Sequence, residues 1–149
     1  MTESKQYKFY ELANDSIEKA LPQLIYKIYD KLEQKILLLL KNKEEVELFD
    51  RLLWSFSSNK FLPHGTAEEK IEYYTKLLIT AELDNKNNAK ILVSNLCLDK
   101  QIFTQQFSQI IYIFSHKQGF AEEYQRLKTH NIKANYWQQG PDGKWQENG

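Results

Sequence analysis

Two short stretches of this chain are apolar at nearly every position: Ile36-Leu37-Leu38-Leu39-Leu40 and Ile110-Ile111-Tyr112-Ile113-Phe114. Each has the length of a strand and is too short for an ordinary helix. Successive side chains of a strand point to opposite faces, so such a strand is stable only where both sheet faces are covered. Before the first run, Ile17, Leu21, Leu24, Ile25, Ile28 and Leu32 recur at helical spacing, and between the two runs Val46, Phe49 and Leu53 do the same. Strands alternating with helices predict an α/β fold: one domain over residues 1–149, a three-layer sandwich whose largely parallel central sheet is flanked by helices. A chain of 149 residues is long enough to bury such a core.

Local signals fill in the order of elements. Residues 7–12 are aromatic-rich and partly alternating, which predicts a first strand. Asn14, Asp15 and Ser16 offer side-chain oxygens to cap the helix that follows. Pro22 suits the start of a helix better than its interior, so the main helix is expected to begin near it, after a looser turn. Acidic Glu44 and Glu45 open a second helix at its positive end, with Leu48 and Leu52 broadening its apolar stripe. A loop over 61–65, a charged connection over 66–70, strands over 76–80 and 90–95, and a turn over 84–88 come next. A short helix is expected over 101–107. Phe120, Tyr124 and Leu127 mark one face of a last helix. An edge-like segment over 133–137 follows, and 140–149 reads as a turn and a loose tail.

Twenty basic and twenty acidic residues cancel. Avid DNA binding by phosphate neutralisation needs clustered unpaired cations, so any DNA contact is expected to be indirect or weak. The single Cys97 excludes an internal disulfide and a cysteine-built zinc site, and its apolar neighbours suggest a small core residue. No apolar run approaches the roughly 20 residues needed to span a bilayer, and the first residues carry no secretory h-region. The expectation is a cytoplasmic protein with no membrane contact.

Chemistry is sparse. A nucleotide-binding α/β domain ordinarily places glycine after its first strand so that the backbone can approach a phosphate. Here residues 12–16 read Leu-Ala-Asn-Asp-Ser, and the first glycine of the chain is Gly65. His64 is the best acid–base candidate, yet no Ser, Cys or carboxylate is spaced as its partner. His116 and His130 read as surface histidines, and the Glu68-Glu69 and Glu122-Glu123 pairs as ordinary first-turn acids. No catalytic residue, metal or cofactor is therefore expected. A competing reading is a small nucleotide-binding or hydrolytic enzyme with its site at the carboxyl edge of the sheet, near residues 13–16 or 41–43. Another is contact with single-stranded DNA through Tyr136, Trp137 and Trp145.

One stretch carries more information: Leu52-Leu53-Trp54-Ser55-Phe56-Ser57-Ser58-Asn59-Lys60-Phe61-Leu62-Pro63-His64-Gly65. Leucines already fill the buried stripe of its helix, and a polar turn holds Phe61 close to Trp54. Two aromatics beside a proline loop suit the docking of a partner's apolar side chain. The stretch resembles the Leu-Trp…Phe-x-Pro-His segment of the chi subunit of bacterial DNA polymerase III. The similarity extends through Phe9-Tyr10-Glu11-Leu12, Lys76-Leu77-Leu78-Ile79-Thr80, residues 89–96, and Tyr136-Trp137.

The resemblance implies an α/β accessory subunit of the polymerase III holoenzyme, without catalysis of its own. It implies a bridge from the clamp loader, through a psi subunit, to the C-terminal tail of single-stranded DNA-binding protein. Trp54, Phe61, Leu62, Pro63 and His64 would meet the psi-type partner, or a helicase using the same surface. Tyr124 and Trp137 would form an apolar slot for the tail, with Gln125, Arg126, Lys128 and Lys133 around it. Gln125 stands where the resemblance leads one to expect a basic residue, and Asn131 where it leads one to expect glycine. The chain would be monomeric alone and heterodimeric in the complex.

Overall fold

A computed structural model describes residues 5–55, 64–66, 76–97, 106–115 and 119–147. The elements run β1 (Gln6–Glu11), α1 (Ile17–Leu32), β2 (Ile36–Leu39), α2 (Lys43–Ser55), β3 (His64–Thr66), β4 (Leu77–Thr80), β5 (Ile91–Ser94), β6 (Gln109–Phe114), α3 (Phe120–Thr129), β7 (Ala134–Gln139) and β8 (Trp145–Glu147). The strands form one sheet in the order β3-β4-β2-β5-β6-β1-β7-β8. Every pairing is parallel except that of β7 with β8.

The apolar runs lie where covered faces require them. Every residue of β2, β4 and β5 is buried, with Leu38 opposite Ile79 on one side and Val93 on the other. Alternation divides each strand between two cores. Ile36 and Leu38 pack with Ile25, Phe49 and Leu53 beneath α1 and α2. Leu37 and Leu39 join Phe9, Tyr112, Tyr124 and Tyr136 beneath α3. On the α3 face the register sets Phe9 between Tyr112 and Tyr136, with ring centroids 5.2 and 5.8 Å away. Burying one such side chain stabilises the fold by about 1.5–3 kcal/mol.

Helix ends follow from local chemistry. Ser16 Oγ accepts the Lys19 N–H at 3.3 Å and caps α1, and Asn42 Oδ1 accepts the Glu45 N–H at 2.9 Å at the start of α2. Beyond α3, Asn131 takes a left-handed φ of 57° while its N–H donates to the Lys128 carbonyl at 3.1 Å. Asparagine tolerates this conformation, which explains how it can stand at a position expected to be glycine.

Several expectations are corrected. Pro22 lies inside α1, which begins at Ile17. Its missing N–H leaves the Glu18 carbonyl, in the first turn, without that helical donor. His64 and Gly65, read as loop, begin β3, which pairs with β4 through backbone alone. The strand over 133–137 extends to Gln139 and is not an edge, because β8 pairs outside it. Residues 140–147, expected as a turn and loose tail, form a β-hairpin arm instead, with Gly140 N–H bonded to Lys144 O at 2.8 Å and Trp145 packed on the α1-side core. Cys97 is exposed, because the chain has left the sheet after Ser94, and its thiol donates to the Gly119 carbonyl at 3.4 Å. Of the helix expected over 101–107, residues 101–105 lie outside the described residues; Phe107 is buried but not helical. The connection over 66–70 is described only at Thr66, in β3.

Glu33 caps α1 in the left-handed region at φ 51°, its N–H bonded to the Tyr29 carbonyl at 2.8 Å. Its Cβ works against that geometry where glycine meets no penalty. Glu33→Gly is expected to stabilise the protein by about 1 kcal/mol. For a domain of this size that is a melting-temperature rise of about 2–4 °C, measurable by calorimetry.

Candidate functional site

In a parallel sheet the loops at the carboxyl ends of the strands are where a ligand would be held. At the β1–α1 junction the backbone N–H groups of Ala13, Asn14 and Asp15 converge on a single acceptor, at 3.3, 3.0 and 2.9 Å. Convergent N–H groups of this kind make an anion-binding concavity. The acceptor here is Oε1 of Gln139, from the end of β7, and the side chain is buried. The other end of the same amide donates to Asp15 Oδ2 at 2.9 Å and to the Gly143 carbonyl at 3.3 Å. The Gln139 donor, seconded by Lys19 at 3.2 Å, holds the Asp15 carboxyl below the usual carboxylate range. The chain has filled its own nest.

The β2–α2 junction is closed differently. Glu45 Oε1 accepts from the Lys41 N–H and from the Asn95 amide, both at 3.1 Å. A fixed carboxylate therefore occupies the loop an anionic substrate would approach. The convergent donors of residues 13–15, and the N–H of Lys41, thus go to internal acceptors, which is the opposite of what the nucleotide-binding reading requires. Among the described residues no group of three or more His, Cys, Asp or Glu side chains could hold a metal ion.

The residues expected at a psi-type surface lie at the other end of the sheet. Trp54 is in the last turn of α2, and His64 opens β3, the outermost strand on that side among the described residues. The two elements are neighbours in space. Phe61, Leu62 and Pro63, on the connection between them, lie outside the described residues.

The residues expected to hold an acidic tail are split by the sheet. Tyr124 points inward from α3, 9 % exposed, with its ring 5.6 Å from Phe9 and 5.1 Å from Tyr136. Lys128 Nζ lies 5.8 Å from the centre of the Tyr124 ring, a cation–π arrangement on the helix surface. Arg126 is committed to Glu123 through two hydrogen bonds of 2.8 Å, and this carboxylate raises the guanidinium's pKa. Gln125 and Lys133 are exposed. Trp137 lies on the opposite face, stacked on Tyr10 at 5.0 Å, next to Trp145. The expected slot between Tyr124 and Trp137 therefore does not form. Period-two alternation sends Tyr136 to the α3 face and Trp137 to the α1 face.

The aromatic that does accompany Tyr124 is Tyr136, whose hydroxyl donates to the Glu11 carboxylate. Burial, and then Glu11, push that phenol's pKa upward. The alternation of buried Ala134 and Tyr136 with half-buried Asn135 and Trp137 was the available signal for this division. Nothing local pointed to Gln139.

The sequence matches the family described as DNA polymerase III chi subunit, HolC, over residues 4–136. The chain belongs to that family. A relative from Rickettsia prowazekii (strain Madrid E), named as a probable DNA polymerase III subunit chi, is 27 % identical over 150 residues, covering 95 % of this chain and 90 % of the relative. Among solved structures, the C-terminal domain of the DEAD-box protein Dbp5 superposes with a TM-score of 0.61 over 91 % of each chain, at 12 % identity. That likeness speaks for the fold alone. As a chi-family subunit, the protein is an accessory component of the polymerase III complex and acts in DNA replication. No described helix of this chi-family chain is long and apolar enough to cross a membrane.

Gln139→Leu removes the acceptor of three N–H groups and is expected to destabilise the protein by about 2–3 kcal/mol, read from denaturant midpoints. The substitution also acts on the acid side. A carboxyl held below its unfolded pKa adds stability above that value and loses it as pH falls through the folded one. With the Gln139 donor gone, Asp15 has less to lose, so the fall in stability below about pH 4 is shallower in the variant than in the wild type.

Proposed function

We propose that this chi-family subunit is a non-catalytic adaptor, bridging the clamp loader to the C-terminal tail of single-stranded DNA-binding protein in the cytoplasm. The observation that carries this reading, beside family membership, is the self-filled carboxyl edge. Gln139 saturates the N–H groups of Ala13, Asn14 and Asp15, leaving a scaffold whose loops serve their own structure.

Trp54, Phe61, Leu62, Pro63 and His64 form the surface for a psi-type partner, or for a helicase competing for it. The adjacency of α2 and β3 supports this, since it draws the two ends of that stretch to one side of the sheet. The protein is monomeric alone and heterodimeric with this partner. The tail docks against the α3 side, where Lys128 stands over Tyr124 with Gln125 and Arg126 beside it. Contact with DNA is indirect or weak.

Calorimetric titration with a peptide ending Asp-Ile-Pro-Phe tests the tail site. The wild type is expected to bind and Lys128→Glu to bind about tenfold more weakly, because the substitution turns an attraction into a repulsion. Equal heats would move the tail away from α3. At the other surface, Trp54→Ala is expected to weaken a psi-type partner by about 2 kcal/mol, roughly thirtyfold in Kd, with circular dichroism confirming an intact fold.

A further inference from the structure

The α1 face carries a feature that neither proposed surface uses. Between α1 and strands β1 and β6 lies a cleft of about 90 Å³, floored by Leu24, Ile28 and Ile111 and rimmed by Lys8, Lys27 and Lys31. Leu24, Lys27, Ile28 and Lys31 recur at helical spacing, so α1 presents apolar and cationic groups to the cleft along one stripe. No carboxylate lines it, and among the described residues none of the three lysines is held in an ion pair. In a chain of zero net charge this is a local excess of unneutralised cations around an apolar floor.

Burial first, and then the neighbouring charges of Lys31 and Lys133, lower the pKa of Lys8. An anion in the cleft would relieve that repulsion.

We infer that this cleft binds an acidic peptide through a carboxylate attached to an aliphatic residue. The floor favours an apolar body, which inorganic phosphate lacks. The aliphatic floor gives a nucleobase nothing to stack on. The nearby aromatics are also engaged: Tyr10 is stacked on Trp137 and edge-on to Trp145. A chain-terminal leucine or isoleucine matches the cleft in apolar surface and in charge, because its carboxylate lies beside its own aliphatic group. This site is independent of the adaptor reading, and it stands or falls separately from the α3 surface.

The test is an amide chemical-shift titration of the full chain with a short acidic peptide carrying a free C-terminal leucine. Its C-terminally amidated counterpart, inorganic phosphate and an oligothymidylate of about twelve nucleotides serve as comparisons. The free-acid peptide is expected to shift Lys8, Ile28, Lys31 and Ile111, and to bind about tenfold tighter than the amide. Lys27→Glu combined with Lys31→Glu, both at exposed helix positions, is expected to abolish these shifts, while the surface control Lys90→Glu retains them. The inference is overturned if the peptide shifts only α3, if the amidated peptide binds equally, or if phosphate or oligothymidylate produces the same map at the same concentration. The wild-type map alone decides the matter should the double variant unfold.

Discussion

One buried amide ties the carboxyl ends of two neighbouring strands of this sheet, β1 and β7, together. Gln139 uses a single carbonyl oxygen to satisfy three backbone donors just after β1, and its nitrogen to hold Asp15 and the β7–β8 turn. Buried backbone N–H groups must be paired, and this junction has no glycine to arrange them around an external ligand. The solution couples the C-terminal hairpin to the first crossover. It also removes the feature that makes many α/β domains into enzymes: an open concavity of N–H groups at the carboxyl edge. Glu45 has the same effect at the next junction, by placing negative charge there. The fold is shared with the C-terminal domain of Dbp5, and a shared fold does not bring a function with it.

The sheet also decides which residues share a surface. Two cores on opposite sides mean that neighbours in sequence part company. Tyr136 joins Phe9 and Tyr124 under α3, while Trp137 stacks on Tyr10 facing α1. The cations divide the same way. Arg126 and Lys128 belong to α3, whereas Lys133 is felt by Lys8 on the α1 side. Their availability also differs. The Arg126 fork is matched to Glu123, so its charge is locally answered; among the described residues Lys8, Lys27 and Lys31 are in no ion pair.

The legible part of the fold was the part governed by burial. Continuous apolar runs found β2 and β6, and the stripes of Val46, Phe49 and Leu53 and of Phe120, Tyr124 and Leu127 found two helices. What escaped was governed by pairing or by distance. A three-residue strand such as β3 owes its place to hydrogen bonds with β4, which leave no pattern in side chains. β8 is polar apart from Trp145 and forms because the turn at Gly140 returns it to β7. Pro22 was misleading because proline so near the start of a helix costs a single hydrogen bond, which the apolar stripe on either side of it outweighs. The bonds from Gln139 cross more than 120 residues of sequence, and a glutamine on a strand carries no sign of its partner.

A neutral composition was the reason to expect little binding of strongly charged partners, and it is a statement about long range only. At physiological ionic strength, charges farther apart than about 8 Å are largely screened in solution. A zero sum over the whole chain therefore says little about a cleft that no carboxylate lines among the described residues. What a partner meets is the local balance: answered on α3 at Arg126, unanswered along the Lys27–Lys31 stripe of α1. A subunit that lacks a broad basic field avoids indiscriminate attraction to the nucleic acid around a replication complex. Small cationic clefts with apolar floors still let it select carboxylates that arrive with a hydrophobic group attached. On such a scaffold neutrality and acidic-peptide recognition are compatible, because one is set by the sum of the charges and the other by their arrangement.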